Sequence, residues 1–242
     1  MADAPLADSA ALHDLVAANR ILAHERVLDA YGHVSIRHPE RADQYVIARS
    51  LGPELVTAAD LQCFTLDGTQ VGGADGTPYS ERFIHGAIYE ARPDVRAICH
   101  NHAPSVIPFS VTSTPLRPIY HMAALLGPEV PKWDIAAEFG ANTDLLVRTM
   151  EQGRSLSRAL GPRRVVLMRG HGSAVAGGSL PEVVWTCVYM AENARLQPQA
   201  MALGEVQYLS PGEIEQMGGY QVDPRGFERA WHAWRARVGM AD

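Results

Sequence analysis

Two histidines one residue apart, His100 and His102, end the run Val95-Arg96-Ala97-Ile98-Cys99. In an extended strand, residues i and i+2 point to the same side. The two imidazoles are therefore expected to share one small volume, the beginning of a divalent-cation site. Two imidazoles rarely hold a metal alone. His171 follows a second apolar run, Val165 to Met168, in a turn flanked by Gly170 and Gly172 that lets the backbone bring an imidazole close. Glu81 opens the helix expected just before the His-x-His strand, so the chain returns past it. Three neutral imidazoles and a carboxylate suit one Zn²⁺, Mn²⁺, Fe²⁺ or Co²⁺ and do not choose among them. Taken singly, each of these side chains is as readily a core, surface or helix-N-terminal residue; the weight lies in the four together. Cys99 would face away from both histidines on a strand.

The elements that must position these groups follow from periodicity and turn chemistry. Residues 1–8 are expected to be loose. Leu12, Leu15, Val16, Ile21, Leu22, Val27 and Leu28 recur at helical spacing, predicting one or two helices over 10–31, ended by Gly32. His33–His38 and Gln44–Ala48 read as a strand hairpin. Arg49-Ser50-Leu51-Gly52-Pro53 is a loop at a strand end. Val56–Leu61 reads as a short helix capped by Thr57. Cys63–Leu66 and Thr69–Val71 form a second hairpin around Asp67-Gly68. Ser80 is placed as the N-cap of a helix reaching Ala91, stopped by Arg92-Pro93-Asp94. After the His-x-His strand come a helix over Ala103–Phe109, a Pro- and Thr-rich loop from Thr112 to His121, and a long amphipathic helix over Asp144–Ala159. Val165–Met168 and Ala174–Ala176 are strands. A helix runs from Leu180 to Gln197, with Pro198 kinking or ending it, and two weaker helices follow around Pro211–Ile214 and Phe227–Arg237.

The bulk numbers narrow the classes. With 242 residues, 47% hydrophobic and 20% charged, the chain is an ordinary globular one, read as a single domain over 1–242. A net charge of −6 gives no basic footprint for nucleic acid. No apolar run approaches the roughly 20 residues of a membrane span, and the N-terminus lacks a signal-peptide pattern. Cys63, Cys99 and Cys187 are far apart and sit in apolar runs, which reads as reduced core cysteines in a cytoplasmic protein.

Ser80-Glu81, Ile84-His85, Ile88-Tyr89, Arg92-Pro93-Asp94-Val95, His100-Asn101-His102 and Gly170-His171-Gly172, in this order and spacing, resemble the class II aldolase/adducin family from about Leu15 to Gln207. The resemblance implies a three-layer α/β/α fold around a mainly antiparallel sheet. It also implies one divalent ion per subunit on His100, His102 and His171, and a homo-oligomer, usually a tetramer, with sites near subunit interfaces. In the aldolases the residue matching Glu81 acts as acid/base and can touch the metal. The chain departs from the sugar-phosphate aldolases at Gly32-His33-Val34-Ser35, where they carry Gly-Asn-Val-Ser, and at Ala48-Arg49-Ser50-Leu51-Gly52, where they carry a Ser/Thr-rich phosphate loop. With Val130-Pro131-Lys132-Trp133-Asp134, these departures are similar to the branch that decarboxylates hydroxylated aromatic or pyridine dicarboxylic acids, such as dihydroxyphthalate.

The expected reaction is therefore loss of CO₂ from a small aromatic acid. A cation chelating the ring hydroxyl and the adjacent carboxylate would fix the acid and withdraw electrons. Protonating the ring carbon that bears the carboxylate gives a keto tautomer from which CO₂ leaves. Glu81, His33, Tyr120 and His121 are the candidate proton carriers. Arg49, Ser50, Ser80 and Arg169 are the candidate substrate contacts, with an arginine fork suited to a second carboxylate. His85, one turn after Glu81, is read as supporting. An aldolase or epimerase acting on a sugar or sugar phosphate is the alternative, and a non-catalytic adducin-like interaction module the third reading.

Overall fold

The apolar runs become strands of one eight-stranded sheet in the order β4-β3-β2-β1-β5-β8-β7-β6, every pair antiparallel except β6 with β7. The computed structural model describes residues 10–221 and 224–241; the expectation about residues 1–8 lies outside them. In chain order the elements are α1 (Ala10–His24), β1 (His33–Arg37), β2 (Gln44–Ala48), β3 (Leu61–Thr65), β4 (Gln70–Gly73), α2 (Arg82–Ala91), β5 (Ala97–Asn101), α3 (Ile107–Val111), β6 (Lys132–Trp133), α4 (Ile135–Phe139), α5 (Met150–Leu160), β7 (Val165–Met168), β8 (Gly172–Gly177), α6 (Leu180–Leu203), α7 (Pro211–Gln221) and α8 (Pro224–Arg237). The helices form two layers: α2 and α5 pack together on one face of the sheet, and α1, α6 and α8 on the other.

Strands β5, β7 and β8 are buried along their whole length. That is why they read as unbroken apolar runs instead of alternating ones. Ile98, Val166 and Val175 are fully buried, and each such side chain contributes about 1.5–3 kcal/mol to the sheet whose ends carry the histidines. Register assigns the faces. His33 pairs opposite His100, Val34 opposite Cys99 and Ser35 opposite Ile98, so His33, Ser35 and His100 share the α2 face. Cys99 faces α6, where it contacts Cys187.

Close approach of backbones explains two glycines. A Cβ on Gly172 would stand 2.1 Å from the Asn101 carbonyl oxygen, and one on Gly153 would stand 2.5 Å from that of Phe83. The first lets β8 begin beside the end of β5; the second lets α5 seat on α2.

Several expectations are corrected. Helix α2 begins at Arg82 behind Glu81, and exposed Ser80 does not cap it. The segment 56–61 is a short 3₁₀ turn, Ala58–Asp60, running directly into β3; Thr57 donates its amide and hydroxyl to the Asp60 carboxylate at 3.0 and 2.7 Å. The helix expected over 103–109 is the shorter α3, with Pro108 in its first turn. The helix expected from Asp144 starts only at Met150, where Thr149 and Gln152 make a reciprocal capping box. Pro198 does not end α6, which continues to Leu203. Asn193 and Gln197 on that helix hold the strap 115–119 through bonds to Arg117, Ile119 and Pro115, and this tertiary fastening outweighs the proline. Among the described residues no helix is long and apolar enough to cross a membrane.

Candidate metal centre

One ligand atom from each of Glu81, His100, His102 and His171 lies within 4.8 Å of the other three. Each comes from an element end: Glu81 from the start of α2, His100 from the last turn-ward positions of β5, His102 just beyond it, and His171 from the turn between β7 and β8. His100 Nε2 and His102 Nε2 are 3.0 Å apart, and Glu81 Oε2 is 3.5 Å from the Nε2 atoms of both His100 and His171.

The outer contacts set the tautomers. His100 Nδ1 is 3.1 Å from the Ser173 carbonyl, His171 Nδ1 is 3.0 Å from the Leu145 carbonyl, and His102 Nδ1 is 3.1 Å from both oxygens of Asp29. These oxygens only accept, so each neutral ring donates from Nδ1 and carries its lone pair at Nε2. Three lone pairs and a carboxylate oxygen then face one another, an arrangement that repels itself unless a cation lies between. Two nitrogens held by one ion at ~2.0–2.1 Å stand roughly 3 Å apart, which the observed separation matches. The donor set therefore fits a divalent metal, and each ring has the outer oxygen partner that metal-binding histidines use.

Glu81 is also fastened from behind, its Oε1 accepting the Val147 amide at 2.9 Å. Burial alone would raise its carboxyl; positive charge at the facing His100 and His171 positions, which a cation would supply where those rings present lone pairs, outweighs that and holds it far below the ordinary range. The net direction favours the carboxylate form. Two backbone groups of the segment 144–148 thus serve the site, and Leu145 adopts a left-handed φ of 67° to aim its carbonyl. That use of the backbone is why α5 starts late. Burial also pushes the Asp29 carboxyl up, but the Tyr31 amide, the His102 ring and the Gly32 amide together hold it below its usual value.

Asp29 has no apolar periodicity to mark it, and nothing in the sequence reading pointed to it. The only signal is its place three residues before Gly32, in a turn where its Oδ1 takes the amides of Tyr31 and Gly32. Removing it is expected to weaken metal binding by about 10- to 100-fold. Competition between Asp29→Ala protein and a chromophoric chelator measures this; unchanged affinity would make Asp29 only a turn residue.

The other candidates fall in distinct places. His33 stands directly beside the cluster, its ring centroid 5.1 Å from that of His100 and 4.4 Å from Tyr79. Its Nδ1 is 2.7 Å from His85 Nε2. Burial, then His85 and His100, hold His33 well below its ordinary value, and burial brings His85 down to about 3, so both rings are neutral. The Arg49 loop is tied to this corner by Tyr79, whose hydroxyl donates to the Leu51 carbonyl at 2.5 Å. Arg49 uses Nε on Asp60 at 2.8 Å and is partly exposed, with no partner among the described residues for its two Nη groups. Ser50 gives its amide to the Thr77 carbonyl, and its side chain is exposed, as is that of Ser80. Arg169 pairs with Asp134 at 2.7 Å. Tyr120 and His121 are not drawn into the cluster of four. Tyr120 packs against His121 and against Tyr189 of α6, its hydroxyl buried with no hydrogen-bond partner among the described residues, while His121 is exposed.

Comparison with known families and structures accords with this geometry. The model of the class II aldolase and adducin N-terminal domain matches residues 13–198. The chain belongs to that family. It is 37% identical over 239 residues to decarboxylase tropJ of Talaromyces stipitatus, with 90% of each chain covered. It is 27% identical over 252 residues to 3,4-dihydroxyphthalate decarboxylase of Arthrobacter keyseri, covering 98% of this chain and 97% of the relative. Its fold is that of L-fuculose 1-phosphate aldolase from Glaciozyma antarctica, with a TM-score of 0.77 at 22% identity and 95% and 90% of the two chains covered.

Proposed function

We propose that the chain is a divalent-metal-dependent decarboxylase of a hydroxylated aromatic or pyridine carboxylic acid. The observation that carries the reading is the convergence of three Nε2 lone pairs and the Glu81 carboxylate on one point, each backed by an outer partner. Its similarity along nearly the whole chain to proteins named as decarboxylases favours CO₂ loss over aldol chemistry.

A divalent ion held by Glu81, His100, His102 and His171 would supply Lewis-acid withdrawal of electrons from the ring hydroxyl oxygen. The remaining work belongs to side chains. Glu81, ionised, takes the proton of the ring hydroxyl and returns it to the ring carbon that bears the carboxylate. The carbon–carbon bond then breaks, CO₂ leaves, and its electron pair restores the aromatic ring. Buried, neutral His33 lies on the same side and contacts the bound acid. Arg49, whose two Nη groups have no partner among the described residues, holds a second carboxylate; Ser50, Ser80 and Arg169 are the weaker contacts. Tyr120 and His121 are assigned to proton supply across a subunit boundary in a homotetramer. The three cysteines are buried thiols, which supports a reducing, cytoplasmic setting.

The test is metal-loaded protein offered a panel of hydroxylated aromatic acids with CO₂ release followed, beside dihydroxyacetone phosphate with aldehydes. CO₂ from the aromatic panel alone supports the reading, and aldol activity alone replaces it. Arg49→Ala is expected to raise KM by about 10- to 100-fold, the worth of a charge-assisted fork, with metal content full. Steady-state kinetics beside metal analysis check it, and unchanged kinetics would remove Arg49 from the site.

A further inference from the structure

A polar chain leaves the metal centre for the interior of the α2 layer. His33, Ser35, His85 and Tyr89 are each 0–1% exposed. Their links are His33 Nδ1 to His85 Nε2 at 2.7 Å, His85 Nδ1 to Ser35 Oγ at 2.6 Å, and Ser35 Oγ to Tyr89 Oη at 2.9 Å. Spacing makes the arrangement: His33 and Ser35 are two apart on β1, and His85 and Tyr89 are four apart on α2.

Counting protons sets the direction of these bonds. Two neutral imidazoles and two hydroxyls carry one proton each, and three links consume all but one. The remaining proton has to leave the chain of bonds. Among the described residues, Tyr89 Oη and Ser35 Oγ have no acceptor outside it, and leaving a buried hydroxyl unpaired disfavours an arrangement by roughly 5- to 150-fold. His33 Nε2 is the other exit, and among the described residues it is not one of the fully buried polar atoms left without a partner, so solvent or a ligand can accept from it. It sits on the ring edge away from His85, and the ring is in contact with His100 and Tyr79 at the metal centre. The surviving order is Tyr89 O–H donating to Ser35, Ser35 O–H donating to His85 Nδ1, and His85 Nε2–H donating to His33 Nδ1.

We propose that Tyr89, Ser35 and His85 lock His33 in the tautomer protonated at Nε2, making it a fixed, neutral hydrogen-bond donor to an anionic oxygen of the substrate. The identity of that acceptor rests on the decarboxylase reading; the tautomer does not. His33 is then no base, because its Nδ1 lone pair is already occupied by His85. The lock favours substrates presenting an acceptor-only oxygen, a carboxylate or an ionised hydroxyl, at this corner. Tyr89, Ser35 and His85 are positioning residues acting through His33.

Long-range proton–nitrogen correlation spectra of the ¹⁵N-histidine-labelled full chain, with and without zinc, read the tautomer directly. The His33 signals are assigned by their loss in His33→Asn. The expected result is that His33 and His85 are both protonated at Nε2 and bare at Nδ1. Protonation of His33 at Nδ1, or a mixture in the parent protein, overturns the proposal without need of any folded variant of the lock. Ser35→Ala removes the donor to His85 Nδ1 and is expected to mix the His33 tautomers. It should also raise the KM for the aromatic acid about tenfold, with metal content full and the smaller part of the loss in kcat. Ser35→Thr, which restores the hydroxyl, is expected to return the parent tautomer. A Ser35→Ala protein with the parent spectrum would show that Ser35 sets nothing. The locked tautomer in a protein that releases no CO₂ would sustain the lock and refute the decarboxylase reading separately.

Discussion

His102→Ala is expected to strip the metal and to lower turnover by more than about 100-fold, beyond what loss of an outer-shell partner costs. This histidine is the best of the three to remove. Its side chain is 19% exposed, whereas that of His100 is fully buried and its loss would open a cavity in the sheet. Asp29 loses its imidazole but keeps the amides of Tyr31 and Gly32, so the turn survives. In metal-free protein the deletion removes one of two lone pairs facing each other at 3.0 Å, so the variant is expected to melt no lower than the parent. Added metal should then raise the Tm of the parent and leave the variant nearly unmoved, because only a folded state that binds the ion is stabilised by it. Elemental analysis and thermal unfolding with and without metal check both halves. Full occupancy in the variant would exclude His102 from the ligand set.

What the sequence made legible here was whatever a residue type and a period can encode. The His-x-His pair was readable because β5 has a period of two and ends where the apolar run ends. His171 was readable because Gly172 permits the approach that brings β8 against Asn101. The outer shell was not. The carbonyls of Ser173 and Leu145 are backbone atoms that any residue would supply, and Asp29 lies 73 positions from the ring it holds. The segment 144–148 misled for a related reason. Its apolar spacing suits a helix, but its amide and carbonyl are committed to Glu81 and His171, so propensity yields to the site. His33 was singled out by its type, while the three-link chain behind it became visible only when β1 and α2 were seen face to face.

Glu81→Gln separates the two duties assigned to that residue. The amide carbonyl can still accept from Val147 at the position of Oε1, so the fold around 144–148 is expected to hold. The NH₂ then takes the place of Oε2, 3.5 Å from the lone pairs of His100 and His171. There it donates to the very nitrogens that a cation needs, and the substitution both removes a negative ligand and puts a competitor in its place. Metal affinity is therefore expected to fall. Because three imidazoles remain, excess metal should restore occupancy. Activity should not return with it: an amide cannot take the ring-hydroxyl proton or hand it to carbon, and loss of a general acid–base group costs roughly 10²–10⁴ in kcat. Measuring kcat and bound metal together across a metal titration decides the matter. If kcat recovers fully once the site is filled, Glu81 is a ligand only, and the proton must come from elsewhere. If kcat stays down at full occupancy, the carboxylate carries the proton, which its fixed position between two histidines and one backbone amide prepares it to do.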